Sequence, residues 1–351
     1  MEQFDLQRIV EPLLSWYDVH ARILPWREAP TAYRVWVSEI MLQQTRVEAV
    51  KPYYERFMKA LPDVKALAEA EEETLLKLWE GLGYYNRVRN LNKAAIQIME
   101  KYQGVIPNTY EELCALPGIG SYTAGAVASI AYQRSVPAVD GNVLRVISRI
   151  RLDERDILQA SVKRSVEQDL SKIMPQDRPG DFNQALMELG ATVCIPNGEP
   201  KCNICPWNSL CLAKENGCIS EYPKREEKKK RTIEKKTVLI LKEGERIAIQ
   251  KRPSKGLLAG LYQFPMLEGH LKEGEVIANL KEKGMMAVRI EKLPPASHIF
   301  SHKEWHMIGY AIRVDELEKY SEEENMLFVH PEKIQQEYPV PSALSAYAAC
   351  I

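Results

Sequence analysis

The sequence predicts two domains of different class: a mainly α amino-terminal domain that ends in a four-cysteine module, and an α+β carboxy-terminal domain. Three observations carry this. Apolar residues recur at helical spacing through roughly the first 220 positions, with no sustained alternation of period two. Short β-branched runs replace that pattern after position 236. Between the two lies Glu221–Lys236, EYPKREEKKKRTIEKK, which has almost no apolar residue and cannot bury a core. It reads as a solvated charged linker, and its Lys228, Lys229, Lys230 and Arg231 are also suited to touching phosphates. The expected boundaries are 1–220, 221–236 and 237–351, and a chain of 351 residues is long enough for two cores.

The elements follow in order. Leu6, Ile9, Val10, Leu13, Leu14 and Tyr17 make the apolar stripe of a first helix. Thr45-x-x-Glu48 is a capping box that predicts a helix to about Lys59, and Thr109-x-x-Glu112 predicts another. Leu116-Pro117-Gly118-Ile119-Gly120 separates that helix from an alanine-rich one, Thr123–Tyr132. Two glycines two apart permit a tight turn with positive φ and exposed N–H groups at a helix N-terminus, which suits a phosphate. A bare G-x-G is only a turn; the complete LPGIG between two helices reads as a hairpin that grips a nucleic-acid backbone through Gly118, Gly120 and Ser121. Asp140 precedes the apolar stretch Val143–Ile150 and alone would be an N-cap. Beyond the linker, Thr237–Leu241 and Arg246–Gln250 flank Lys-Glu-Gly-Glu as a hairpin, and Met307–Val314 is a third strand.

Apolar content of 45% and charged content of 27% are those of an ordinary soluble chain. The start, MEQFDLQRIVEP, has no basic segment and reads as no signal peptide, and no apolar run approaches a membrane span. A net charge of −1 neither signals nor excludes a nucleic-acid partner, which needs only a local basic face.

Cys194, Cys202, Cys205 and Cys211 crowd into one stretch, the last three as C-x₂-C-x₅-C. Thiolate-only ligation suits zinc or an iron–sulfur cluster. Zinc ribbons present two C-x₂₋₄-C knuckles, and only Cys202–Cys205 fits one, so spacing favours the cluster. Cys114, Cys218 and Cys350 stand apart and read as packing residues.

These features meet in a resemblance. The segments Leu24-Pro25-Trp26-Arg27, Ser38-Glu39-Ile40-Met41-Leu42-Gln43-Gln44-Thr45, Trp79-Glu80-Gly81-Leu82-Gly83-Tyr84-Tyr85, LPGIGSYTAGA at Leu116–Ala126, Val139-Asp140-Gly141-Asn142 and Phe182-Asn183-Gln184-Ala185 resemble the helix-hairpin-helix DNA glycosylases with an iron–sulfur cluster, the endonuclease III superfamily. Within it they resemble the adenine DNA glycosylases of the MutY type. The carboxy-terminal Gly260-Leu261-Tyr262-Gln263-Phe264-Pro265 and Phe300-Ser301-His302 are similar to the same family, on a Nudix-like domain that lacks the acidic REx₂EE box and so implies recognition rather than hydrolysis. The family spaces its cysteines C-x₆-C-x₂-C-x₅-C. Here IPNGEPK puts one more residue after Cys194, at a turn-prone Asn197-Gly198.

The resemblance implies a monomeric, cytoplasmic and nucleoid-associated bacterial enzyme with a [4Fe–4S] cluster on the four cysteines. It would remove adenine opposite 8-oxoguanine or G in duplex DNA. Glu39 would protonate adenine, and Asp140, supported by Asn142, would face the oxocarbenium ion. Ile40, Met41 and Leu42 beside Glu39 favour a desolvated site and a raised pKa. Tyr122 stands where lyase relatives carry a lysine, so base excision without strand cleavage is expected. Arg22, Leu24, Trp26 and Gln184 would line the adenine pocket, although Leu24 and Trp26 read equally as core. Gln44 and Tyr84 would fill the gap left by the flipped base, and Phe300, Ser301 and His302 would sense 8-oxoguanine. The competing readings are a lyase acting on oxidised pyrimidines, a glycosylase for another mispair such as a thymine mismatch, and a non-catalytic damage binder or redox sensor.

Overall fold

The computed structural model describes residues 4–226, 231–315 and 326–351. They fall into two compact units, one of residues 1–70 and 89–227, the other of 71–88 and 228–351.

The first unit is helical. It holds a 3₁₀ turn at Leu6–Ile9 and the helices α1 (Val10–His20), α2 (Ala32–Leu42), α3 (Val47–Ala60) and α4 (Val64–Glu69). After α5 (Glu72–Leu78), which belongs to the second unit, come α6 (Asn86–Tyr102), α7 (Tyr110–Cys114), α8 (Ser121–Tyr132), α9 (Gly141–Arg151), α10 (Ala160–Ile173), α11 (Pro179–Thr192) and α12 (Leu212–Glu215). All six residues of the amino-terminal stripe are buried. Thr109 caps α7: its hydroxyl accepts from Glu112 N at 3.3 Å and donates to Glu112 Oε2 at 2.6 Å. The Thr45 box does not. The Thr45 hydroxyl donates to Gln43 O at 3.3 Å, Gln44 is left-handed (φ 58), and α3 begins only after Arg46, without a side-chain cap.

Helix α8 sets the packing. Its residues Thr123–Ile130 are all buried and, apart from Val127 and Ile130, small. A Cβ on Gly125 would lie 2.2 Å from Pro137 O, and one on Gly180 of α11 would lie 2.8 Å from Ser129 O. The Asn183 side chain fixes the same junction, accepting from Ala138 N at 2.9 Å and donating to Ser129 Oγ and Val136 O, both at 2.8 Å. Thus α8 lies close to α11 and to the strap that leads into α9.

Among the described residues, the second unit is a mixed seven-stranded sheet with helices on both faces. Its strands are β1 (Thr232–Glu243), β2 (Arg246–Lys251), β3 (Tyr262–Gln263), β4 (Met266–Glu268), β5 (Met286–Ile299), β6 (Lys303–Asp315) and β7 (Met326–Val329). The order is β3-β2-β1-β6-β5, with β4 on β1, β7 on β2, and β1 parallel to β6. Val238 and Ile240 face a core with Ile334, Leu344 and Tyr347 from α14 (Pro331–Glu337) and the segment ending in α15 (Ser345–Ala348). Leu239 and Leu241 face the opposite core, with Val276 and Leu280 of α13 (Glu273–Glu282). A strand covered on both faces reads as one apolar run, as this one does.

The β1–β2 hairpin turns at Gly244-Glu245, and Met307–Val314 lies inside the longer β6. Thr232–Lys236, read as linker, are strand: they pair with Lys303–Met307, and Glu234 takes ion pairs from Lys303 (2.5 Å) and Lys236 (3.5 Å). Lys228, Lys229 and Lys230 lie outside the described residues, and Arg231 is exposed.

Gly125→Ala drives a methyl group into the Pro137 carbonyl. The expected loss is roughly 1–3 kcal/mol, the usual scale of overpacking, read as a lower urea midpoint.

Candidate active site

Glu39 lies in the last two turns of α2, between Ser38 and Ile40, and is 6% exposed. Burial pushes its carboxyl up from 4.5 to about 7; the nearby Asp140 adds to the rise, while the Tyr122 hydrogen bond and Arg27 oppose it. The Tyr122 hydroxyl, at the second position of α8, donates to Glu39 Oε2 and lies 3.1 Å from Met187 Sδ. Burial, then the two carboxylates, hold the phenol well above its ordinary range, so it stays an O–H donor.

Asp140 both caps α9 and faces this group. Its Oδ1 accepts from Val143 N at 2.8 Å and its Oδ2 from Asn142 Nδ2 at 2.7 Å. Burial raises its pKa, and these bonds, which favour the charged form, counter the rise. Asn142 Oδ1 accepts from Arg145, at 2.9 Å, and Arg145 also donates to the carbonyls of Gly190 (2.8 Å) and Cys194 (2.9 Å). One turn later Arg149 donates to Cys194 Sγ at 3.3 Å and to Ile195 O at 3.0 Å.

Cys194, Cys202, Cys205 and Cys211 all line one small pocket of about 30 Å³, with Val193, Pro200 and Ile219 among its apolar walls. Burial raises the thiols of Cys202, Cys205 and Cys211, and Cys194 raises all three further. Among the described residues, no three His, Cys, Asp or Glu side chains converge as ligands of a single ion. The additional residue after Cys194 is taken up in an exposed turn at Gly198 (φ 79).

The hairpin differs in one respect from its expected form. Gly118 is left-handed (φ 76) and a Cβ there would meet Asn90, but Gly120 is extended (φ −97). Apart from its chain neighbours, no described residue lies within 4 Å of a Cβ built on Gly120. Neither its conformation nor its neighbours require glycine, so the bare position leaves room for a ligand at the α8 N-terminus. Ser121, the first residue of α8, accepts from Lys163 Nζ at 2.9 Å.

Chain segments 37–176 and 237–349 match the profiles of the HhH-GPD superfamily base excision DNA repair proteins and of the NUDIX domain. Over 362 residues the sequence is 36% identical to the adenine DNA glycosylase of Mus musculus, covering 87% of this chain and 70% of the relative. It is 34% identical to that of Buchnera aphidicola subsp. Acyrthosiphon pisum, covering 89% and 88%. The chain belongs to the adenine DNA glycosylases.

The Arabidopsis thaliana member, 37% identical, is longer, and this chain spans 56% of it. Among solved structures, a thermostable thymine-DNA glycosylase is similar with a TM-score of 0.53 and 26% identity, over 60% of this chain and 97% of that one. A non-covalent endonuclease III–DNA complex shares the fold, with a TM-score of 0.52. No helix among the described residues of the glycosylase is long and apolar enough to cross a membrane.

Glu39, Tyr122, Asp140 and Asn142 thus converge in the first unit. Beside them Arg22 is bound to Glu188, whose Oε2 accepts from Arg27 at 2.8 Å. Burial works against ionisation of Glu188, but the two arginines hold its carboxyl below the ordinary value. Leu24 and Trp26 are buried, Trp26 edge-on to Tyr54 at 5.4 Å. Gln184 is half-buried on α11, and Gln44 is exposed. The other residues sit in the second unit: Tyr84, left-handed (φ 48) and 50% exposed, and Phe300-Ser301-His302 in the β5–β6 turn. Arg27, Met187 and Glu188 were not singled out from the sequence. The available signal was a glutamate inside the apolar helical run ALMELGA, which must find cations when buried.

Because folding raises the Glu39 pKa, its burial costs nothing below about pH 4.5 and most above about pH 7. Glu39→Gln is therefore expected to gain stability over the parent as pH rises through that window. The gain should approach about 3 kcal/mol at the alkaline end, at 1.36 kcal/mol per unit, measured by urea unfolding at both limits.

Proposed function

We propose that the chain hydrolyses the N-glycosidic bond of adenine opposite 8-oxoguanine or guanine in duplex DNA and leaves the strand uncut. The observation that carries this is Glu39: a buried carboxyl poised at about 7, hydrogen-bonded to Tyr122 and next to Asp140. A general acid works best when its pKa lies near the working pH. Glu39 gives its proton to adenine N7. The C1′–N9 bond then breaks with its electron pair going to the base, and the Asp140 carboxylate faces the positive charge left at C1′. Water adds to C1′ and returns its proton to Glu39. Tyr122 holds the acid in place and has no amine with which to form a Schiff base.

Base flipping costs about a few kcal/mol. We assign it to Gln44 and Tyr84 at the vacated stack, with Arg22, Leu24, Trp26 and Gln184 receiving adenine. Gly118, Gly120 and Ser121 hold the DNA backbone at the α8 N-terminus, and Phe300, Ser301 and His302 read the opposite base. One chain carries every group required, so it acts as a monomer on chromosomal DNA, which in bacteria is the nucleoid. The four cysteines suit a [4Fe–4S] cluster, because all four line one apolar-walled pocket and a Cys₄ thiolate set is the ligation such a cluster takes. When bound, such a cluster cross-links four points of the chain.

Defined duplexes test the reading. Excision is expected from A:8-oxoguanine and A:G, with no borohydride-trapped adduct. Asp140→Asn caps α9 nearly as well as aspartate. It should fold normally yet lose about 10²–10³-fold in single-turnover rate, the scale of a removed transition-state charge partner. Normal excision by this variant would leave Asp140 a cap only.

Purified protein should be brown, with iron and sulfide near about four each per chain, as a Cys₄-held [4Fe–4S] cluster requires. A colourless, zinc-loaded and active protein would overturn the cluster assignment.

A further inference from the structure

We propose that Glu80 is a positioning residue for Tyr84, tying the loop that carries this side chain to the carboxy-terminal segment of the Nudix-type unit. The proposal rests on the reading of Tyr84 as a contact to the base opposite adenine.

Residues 71–88 lie inside the stretch matching the glycosylase profile, yet by compactness they group with the sheet. Polar contacts account for this. Glu73 Oε1 takes Lys251 Nζ at 3.0 Å and the Tyr262 hydroxyl at 3.3 Å. Lys77 Nζ donates to Tyr338 O at 3.3 Å. Glu80 uses both oxygens: Oε1 accepts the backbone N–H of Val340 at 2.8 Å, and Oε2 pairs with Lys77 at 2.6 Å.

Directly after Glu80 the backbone turns left-handed at Gly81 (φ 100), Gly83 (φ 70) and Tyr84 (φ 48). A left-handed aromatic residue costs free energy and persists only where its surroundings hold it. Here Trp79 Nε1 donates to Gly83 O at 3.2 Å, and Arg87 donates to the carbonyls of Leu82 (3.0 Å) and Gly83 (3.1 Å). The Arg87 guanidinium also stacks over the Tyr84 ring at 5.7 Å. These bonds shape the loop from within. Glu80, at its start, fixes it to segment 338–340 of the unit that bears Phe300, Ser301 and His302. The position of Tyr84 is therefore set by the same body that presents the other opposite-base contacts, and Glu80 determines specificity without touching DNA.

The test uses the full chain and single-turnover rates on A:8-oxoguanine and A:G duplexes. Point variants are needed, because removing the sheet would strip residues 71–88 of Lys251, Tyr262, Tyr338 and Val340 together. Glu80→Ala should lower the 8-oxoguanine-over-G rate ratio about tenfold, within the range of coupling between two sites, and leave the A:G rate unchanged. Glu80→Gln keeps an acceptor for Val340 N–H and should retain most of the ratio. Tyr84→Ala should lower the ratio as well, and the double variant should lose no more than Tyr84→Ala alone. If Tyr84→Ala leaves the ratio intact, the underlying reading of Tyr84 fails. If Tyr84→Ala lowers it but Glu80→Ala does not, or if the two losses add, the role given to Glu80 fails alone. Should Glu80→Ala not fold, Glu80→Asp withdraws the carboxylate by one methylene and gives the same readout.

Discussion

The active-site geometry depends on keeping one carboxyl group, that of Glu39, out of water. An isolated ionised carboxylate in such a place is very costly, and a protein relieves the cost by letting the group keep its proton. Here that relief and the chemistry coincide, since a proton held at about 7 is one that can be given to a base. The burial requires close packing of backbones. α8 supplies it with Ala124, Gly125, Ala126, Ala128 and Ser129, and Gly180 adds a thin point on α11. Because these residues are small, Tyr122 from α8 reaches Glu39 on α2, Met187 from α11 reaches Tyr122, and Asp140 comes near enough for its charge to act on Glu39.

Asp140 shows how one residue can satisfy local and distant constraints together. As an N-cap it answers a free N–H of α9, and that bond, with the one from Asn142, favours its charge. Asn142 is held in turn by Arg145, whose other donors go to the carbonyls of Gly190 and Cys194. Arg149, four residues on, takes the Cys194 sulfur and Ile195. Residues four apart share a helix face. A single face of α9 therefore orders both the carboxylate at its start and the beginning of the cysteine loop, and neither is arranged independently of the other.

What the sequence disclosed, and what it hid, follows from the range of the forces involved. The two capping boxes have the same pattern. Thr109 spends its hydroxyl on Glu112 and caps its helix, whereas Thr45 follows a left-handed Gln44 and spends its hydroxyl on Gln43. Asp140, the alanine-rich α8 and the β1–β2 hairpin were legible because their determinants are neighbours in sequence. β5 was not, since it is largely exposed, contains Pro294-Pro295 and is a strand by virtue of pairing with β6. Thr232–Lys236 were misread as linker for the same reason: their partners start at Lys303. Glu188 was missed because its partners, Arg22 and Arg27, lie 166 and 161 residues away. The carboxylates Glu39 and Asp140 and the cysteine set were singled out largely through resemblance, and burial then explains the raised pKa of the two carboxyl groups.

The β5–β6 turn illustrates how a packed sheet can still offer a reading surface. Helices cover both faces of the central strands, while the tip between β5 and β6 stays reachable. Phe300 packs edge-on against Trp305 at 4.9 Å, and Trp305 is pinned by its Nε1–H bond to Glu234, at 2.8 Å. Phe300 N donates to Lys303 O across the turn at 2.8 Å, and Thr232 N donates to His302 O at 3.3 Å. Ser301 and His302 are left exposed on a turn whose backbone and anchor ring are fixed. Tyr84 is presented by the same means, an exposed side chain on a loop held by buried donors. These side chains fall in one compact unit, while Glu39, Tyr122 and Asp140 fall in the other. The chain thus separates the groups suited to breaking a bond, which must be dry, from those suited to inspecting a base, which must be reachable.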